Sequence, residues 1–247
     1  LRDKFKYIVK IDTTNKPTSE GVEQIIRMTL ETLHAFLDQK VLVIEEGILN
    51  IKKNSFCNDL LEFEDLVKKI IQNAKFISHS EANQSKKYIQ IIPCGIIRFE
   101  DKLCLLRRKE EGHPLHDTYA IWAGGHAKEE DKYNGNNIVE NALKRELYEE
   151  VYIKKEYKIS PFGYVHTGVD FRASRHLGIV YQIRLESPEV ALAMDQHEFK
   201  ETRGRSVSGK LLELAEIKKY YNGMGAWSKF LYRHLSGEEE PLLFPGL

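Results

Sequence analysis

Arg145-Glu146-Leu147-Tyr148-Glu149-Glu150 is the stretch from which the fold is read. Its surroundings, residues 138–151, carry apolar residues at helical spacing. On a wheel of about 100° per residue, Val139, Ala142, Leu143 and Leu147 share one arc with Glu146, Glu149 and Glu150. Asn141, Lys144 and Tyr148 fall on the opposite side, and Arg145 lies at the margin. The face that should enter the core therefore turns from aliphatic to carboxylate along a single helix. Glu146, Glu149 and Glu150 are neighbours at i, i+3 and i+4. Clustering three anions and drawing them partly out of water costs on the order of several kcal/mol each. Protonation or a bound cation would offset that cost. A charge run is ordinarily a solvated face, but here the charges sit on the apolar arc. An oxygen-only donor set on one face suits a hard ion such as Mg²⁺ or Mn²⁺.

Outward from this helix, the sequence alternates strand and helix signals. TYAIWAGG at 118–125 leads toward it as a strand ending in two glycines. Earlier, IQIIPCGIIRF at 89–99 is strand-like, with Pro93 and Gly95 suggesting an edge or a bulge. LCLLRR at 103–108 is the return strand. After the acidic helix, YVHTG and HLGIVYQIRL are two more strands, and 210–220 and 226–235 have the pattern of closing helices. Strands mixed with helices on both sides predict an α/β/α sandwich with a mixed sheet. The first 80 or so residues predict a small α/β module. It has a strand at 5–12, an amphipathic helix from Val22 to Leu37, a strand at 41–47 and a second helix around Leu60–Ile71, capped by Asn58. The polar run 79–87, HSEANQSKK, is the best boundary, giving domains 1–86 and 87–247.

Composition narrows the function classes. The 247 residues contain 37 Lys+Arg and 37 Asp+Glu, so the net charge is zero. That balance argues against general nucleic-acid binding. No apolar run approaches the roughly 18 residues of a spanning helix, and the start lacks a signal-peptide core. Cys57, Cys94 and Cys104 are odd in number and without C-x-x-C spacing, so they imply buried thiols in a reducing, cytoplasmic setting.

Gly125, five residues, Asp131, a longer stretch and then Arg145-Glu146-Leu147-x-Glu149-Glu150-x-x-Ile153 resembles the Nudix box, G-x5-E-x7-R-E-U-x-E-E-x-G-U, with U aliphatic. The motif spans 125–153; the likeness in layout runs over roughly 88–236. Gln90-Ile91-Ile92-Pro93, His176-Leu177-Gly178 and Trp227-Ser228 also resemble a bacterial Nudix branch with an extra N-terminal segment. Three positions depart from the box. Asp131 replaces its glutamate, thirteen residues instead of seven precede Arg145, with 132–137 as the insertion, and Tyr152 replaces the glycine that ends the helix. Tyrosine in that left-handed turn would cost about 1–2 kcal/mol.

The resemblance implies Glu146, Glu149 and Glu150 as metal ligands with the backbone carbonyl of Gly125 beside them. Arg145 would orient a carboxylate. The implied reaction is Mg²⁺- or Mn²⁺-dependent hydrolysis of a diphosphate bond in a small nucleoside-diphosphate derivative. Glu146, or Glu198 or Glu201 from a later loop, would serve as base. Arg172, Arg175 and His176 are candidates for phosphate contact, with exposed loop residues the equal alternative. So are His126 and one of Arg107 and Arg108, the alternation of the strand favouring a single arginine. His113 and His116 make a poor zinc pair because Pro114 intervenes. GRSVSGKL at 204–211 imitates a P-loop without its hydroxyl residue or a leading strand. A nucleotide-sensing Nudix-fold module without turnover is the alternative function. An isoprenoid diphosphate isomerase lacks its cysteine context. A homodimer is compatible with the sequence.

Overall fold

The computed structural model describes residues 39–108, 118–134, 137–153, 155–168, 173–192 and 209–238. The strand read at 5–12 and the helix at 22–37 lie outside them.

The twelve-residue strand β4 (Tyr88–Phe99) organises the sheet. Its first ten residues are buried, as expected for a central strand covered on both faces. β10 (His176–Leu185) runs parallel to it from His176 opposite Gln90 to Arg184 opposite Arg98. The other edge of β4 is shared in turn by β1 (Lys40–Glu45), β7 (Ala123–Gly124) and β5 (Lys102–Arg107). Beyond β10 lie β9 (Tyr157–His166) and β2 (Ser55–Cys57), both antiparallel to their neighbours. β3 (Lys75–Ser78) pairs with β1, β6 (Tyr119–Ala120) with β5, and β12 (Lys210–Glu213) with the far edge of β5. β8 (Val151–Ile153) and β11 (Val190–Leu192) form a separate ribbon.

Helices cover both faces. α1 (Leu60–Asn73) and α3 (Ile138–Glu150) lie on one. Phe63 of α1 meets the Tyr181 ring edge-on at 5.5 Å, and a Cβ on Gly95 would touch both Ile183 and Leu143 of α3. α5 (Ala226–Ser236) lies on the other, where Trp227 stands 3.0 Å from the point a Gly178 Cβ would occupy. Gly178 and Ile183 alternate to opposite sides of β10. α2 (His79–Gln84) and α4 (Leu214–Ile217) are short. This is the α/β/α sandwich with a mixed sheet. Among the described residues, no helix is long and apolar enough to cross a membrane. Cys57, Cys94 and Cys104 are buried, unpaired thiols.

Several local expectations are corrected. Pro93 is not at a sheet edge: it falls between the last β1 pairing at Gln90 and the first β7 pairing at Cys94, where no ladder bond asks for its missing N–H. The strand read at 118–125 is split into β6 and β7 around Ile121 and Trp122. Asp59, not Asn58, caps α1, accepting from the N–H groups of Leu61 and Glu62 at 2.9 and 3.0 Å. The helix read at 210–220 begins as β12, because Lys210–Glu213 complete the edge of β5. Gly209, at φ +75°, turns the chain into that strand instead of cradling a phosphate before a helix. The polar run 79–87 is not a link between two sheets. It folds into α2 around buried Ala82, and β1 hydrogen-bonds directly to β4. The described part of the 1–86 module thus belongs to the same sheet as β4, β5, β9 and β10.

Candidate functional site

α3 starts at Asn137, whose side chain accepts from the Glu140 N–H at 3.2 Å. Val139, Ala142, Leu143 and Leu147 are buried in the main core. Further along the helix Glu146 and Glu150 are also buried, while Tyr148 is 77% exposed. The helix ends without the glycine turn of the box. Val151 is already extended, at φ −133° and ψ 125°, and the chain runs straight into β8, so Tyr152 has no left-handed turn to occupy.

Each carboxylate has a distinct setting. A Glu150 oxygen accepts from the Gly124 N–H at 2.9 Å, tying the end of the helix to the glycine pair. Glu146 faces Gly125 so closely that a Cβ there would lie 2.8 Å from its carboxyl group. Burial raises the pKa of Glu146, against the opposing pull of Arg145 and Lys128. Glu149 is the most open of the three, its side chain 23% exposed. Gly124 is held at φ +143°, where a Cβ would collide with the Pro93 carbonyl. Glycine is therefore required at both positions for different reasons: backbone conformation at 124 and room for a carboxylate at 125.

Arg145 joins the parts. Its Nε and Nη2 donate to the two oxygens of Asp131 at 2.8 and 3.0 Å, a forked pair. Nη2 also donates to the His126 carbonyl at 2.9 Å, and Nη1 reaches Glu146 and Glu149. Asp131 is 2% exposed and accepts from the Lys128 N–H at 2.7 Å. The longer spacing of the box thus leaves the acid–arginine pair intact. The segment Glu129–Asn134 forms a 3-10 turn against α3, where the Asn141 amide donates to the Asp131 carbonyl at 3.0 Å. This buries Asn141, which the wheel placed on the outer side.

The other candidate residues separate. Arg108 is buried with its guanidinium 4.5 Å above the Trp122 ring, two residues before Gly124. Trp122 in turn packs on Trp227 at 5.5 Å. Arg107 lies over Tyr119 instead. Arg175 is not brought to the carboxylates: it donates to the Lys86 and Tyr88 carbonyls and to Glu46, bracing the start of β4. The His126 ring is turned to Gln90, between the rings of His79 and His176. Arg172, Glu198, Glu201, His113 and His116 lie outside the described residues. Gln90, Asn83 and Trp122 were missed as contributors. An amide inside the apolar run IQII was the available signal for Gln90.

Among the described residues, no three carboxylate, imidazole or thiol groups already converge as they would around an ion. The donor set nevertheless fits one. Its oxygens are hard, two of the carboxylates are buried at the end of one helix, and the Glu146 carboxyl lies against Gly125, 2.8 Å from where a Cβ would stand.

No protein-family model and no curated protein matches the chain. Solved structures do. The crystal structure of Tm1382, classed with the Nudix hydrolases, superposes at a TM-score of 0.63 with 21% identity, covering 81% of this chain and 99% of that one. The MutT protein from Methanosarcina mazei Go1 superposes at 0.41 with 19% identity over 61% and 94% of the two chains. A bifunctional NMN adenylyltransferase/ADP ribose pyrophosphatase from Francisella tularensis, solved with AMP and Mn, gives 0.41 with 16% identity over 96% and 59%. The chain has the fold of the Nudix hydrolases.

Proposed function

We propose that the protein hydrolyses a diphosphate bond in a small nucleoside-diphosphate-linked substrate, with Mg²⁺ or Mn²⁺. The observation that carries this reading is the carboxylate-bearing end of α3. Glu146 lies against Gly125, Glu150 accepts from the Gly124 N–H, and Arg145, forked on Asp131, reaches Glu146 and Glu149. Glu146, Glu149, Glu150 and the Gly125 carbonyl would hold the cation. When bound, it neutralises phosphate charge and lowers the pKa of water. A pKa raised by burial supports Glu146 as the group that takes a proton; Glu201 is the candidate from the later loop. Arg108, fixed on Trp122, presents a cation for the phosphate chain or the group attached to it.

A panel of nucleoside diphosphate derivatives, assayed with Mg²⁺, with Mn²⁺ and with chelator, tests this. Turnover that needs the metal is expected. Tight nucleotide binding with no turnover under either metal would replace the enzyme with a sensor. Within the same assay, Gly125→Ala is expected to lower metal-dependent turnover at least about tenfold, because its methyl group would stand 2.8 Å from the Glu146 carboxyl and displace it. An unchanged metal titration in that variant would remove Gly125 from the site.

A further inference from the structure

Gly125 offers its carbonyl from the peptide that joins it to His126. Whatever fixes His126 therefore fixes that carbonyl. The main chain of His126 is held by Arg145, which donates to the His126 carbonyl at 2.9 Å. Its ring is held separately. His126 Nε2 lies 2.8 Å from Gln90 Oε1. The Gln90 amide donates through Nε2 to Asn83 Oδ1 at 3.0 Å. Asn83, on α2, has its own amide nitrogen 3.3 Å from His79 Nε2.

Bonding in this chain has a direction. Asn83 Oδ1 can only accept, so Gln90 must turn Nε2 toward it and Oε1 toward His126. His126 then donates from Nε2. Gln90 is completely buried, so an unmatched end of its amide could not turn to water. The rings of His79 and His176, with centroids 4.8 and 5.6 Å from that of His126, pack its flanks. β1 adds a backbone stitch to the same loop, Leu42 N–H donating to the Ala127 carbonyl at 2.8 Å.

We infer that Gln90 and Asn83 are positioning residues for the metal loop, through which the segment before β4 sets the affinity of the carboxylate site for its cation. The inference rests on the metal reading of Glu146, Glu149 and Glu150. It gives the described part of the N-terminal segment a role in the reaction: α2 braces the ring of His126 through Gln90, while Arg145 holds its carbonyl.

Mn²⁺ binding to the full chain, monitored by electron paramagnetic resonance without substrate, tests it. Melting curves without metal and turnover at saturating Mn²⁺ are measured alongside. Gln90→Leu is expected to weaken Mn²⁺ binding about tenfold, the low end of what a lost support for a ligand costs. Asn83 is exposed on its helix, so Asn83→Ala will fold. It is expected to weaken binding in the same direction by a smaller factor. Asn83→Asp keeps the acceptor for Gln90 and is expected to restore binding. Turnover at saturating Mn²⁺ should recover toward wild type in Asn83→Ala, whereas a merely structural role would lower the metal-free melting temperature, as one lost buried hydrogen bond does, without moving Mn²⁺ affinity. Wild-type Mn²⁺ affinity in both Gln90→Leu and Asn83→Ala, while Glu149→Gln loses it, overturns the positioning role alone. Wild-type affinity in Glu149→Gln overturns the metal reading and this inference with it.

Discussion

Glu149→Gln is expected to lower kcat/KM for a cleaved nucleoside diphosphate derivative at least about a hundredfold and to leave the fold intact. A hundredfold corresponds to about 2.7 kcal/mol of lost transition-state stabilisation. Glutamine keeps the shape of the side chain and removes its charge. Of the three carboxylates, Glu149 tests the site most cleanly. Glu146 is buried against Gly125, and Glu150 anchors the Gly124 N–H, so changing either disturbs the loop as well as the charge. Glu149 is 23% exposed and meets Arg145 at 3.4 Å, at the long end of hydrogen bonding. Its loss should therefore appear in turnover and in the metal titration, with a melting temperature close to wild type. Full turnover in Glu149→Gln would take the acidic end of α3 out of the reaction.

That end of α3 was legible in the sequence because two signals conflict there. Helical spacing assigns Glu146 and Glu150 to the buried face, and burial assigns apolar residues to it. The structure keeps both charged residues buried and supplies each with a partner. Where the sequence misled, a tertiary neighbour outweighed a local cue. Pro93 and Gly95 weaken a strand by composition. Here, however, the proline falls in a gap between partners, and the glycine makes room for Ile183 and Leu143. Leu211 and Leu212 suit a helix face equally well as a strand, and the open edge of β5 decided between them. Arg175 could be placed near a phosphate from sequence, but its fork is directed at carbonyls of β4 and its approach and at Glu46. Sequence spacing says which residues are near in the chain. It does not say that Asn83 and His126 would be joined through Gln90.

Arg145→Met is expected to unfold the protein more readily, by about 3–5 kcal/mol, the usual cost of breaking a buried ion pair from one side. At roughly 2–4 °C per kcal/mol for a chain of this size, the melting temperature should fall by roughly 10 °C. The cause is Asp131. It is 2% exposed, and both of its oxygens are matched to the Arg145 fork. Without the fork, one remaining described bond, from the Lys128 N–H, must hold a buried charge. Neutralising that charge should recover part of the loss, so Arg145→Met with Asp131→Asn is expected to be more stable than Arg145→Met alone. Lysine at 145 restores a positive charge but cannot span both oxygens. Arg145→Lys should therefore fall between wild type and Arg145→Met in stability. All three variants should also lose metal-dependent turnover, since the same guanidinium holds the His126 carbonyl and reaches Glu146 and Glu149. Urea melts of the two single variants and the double variant separate these effects. If the double variant is less stable than Arg145→Met alone, the pair is not the reason the departed box still holds its helix.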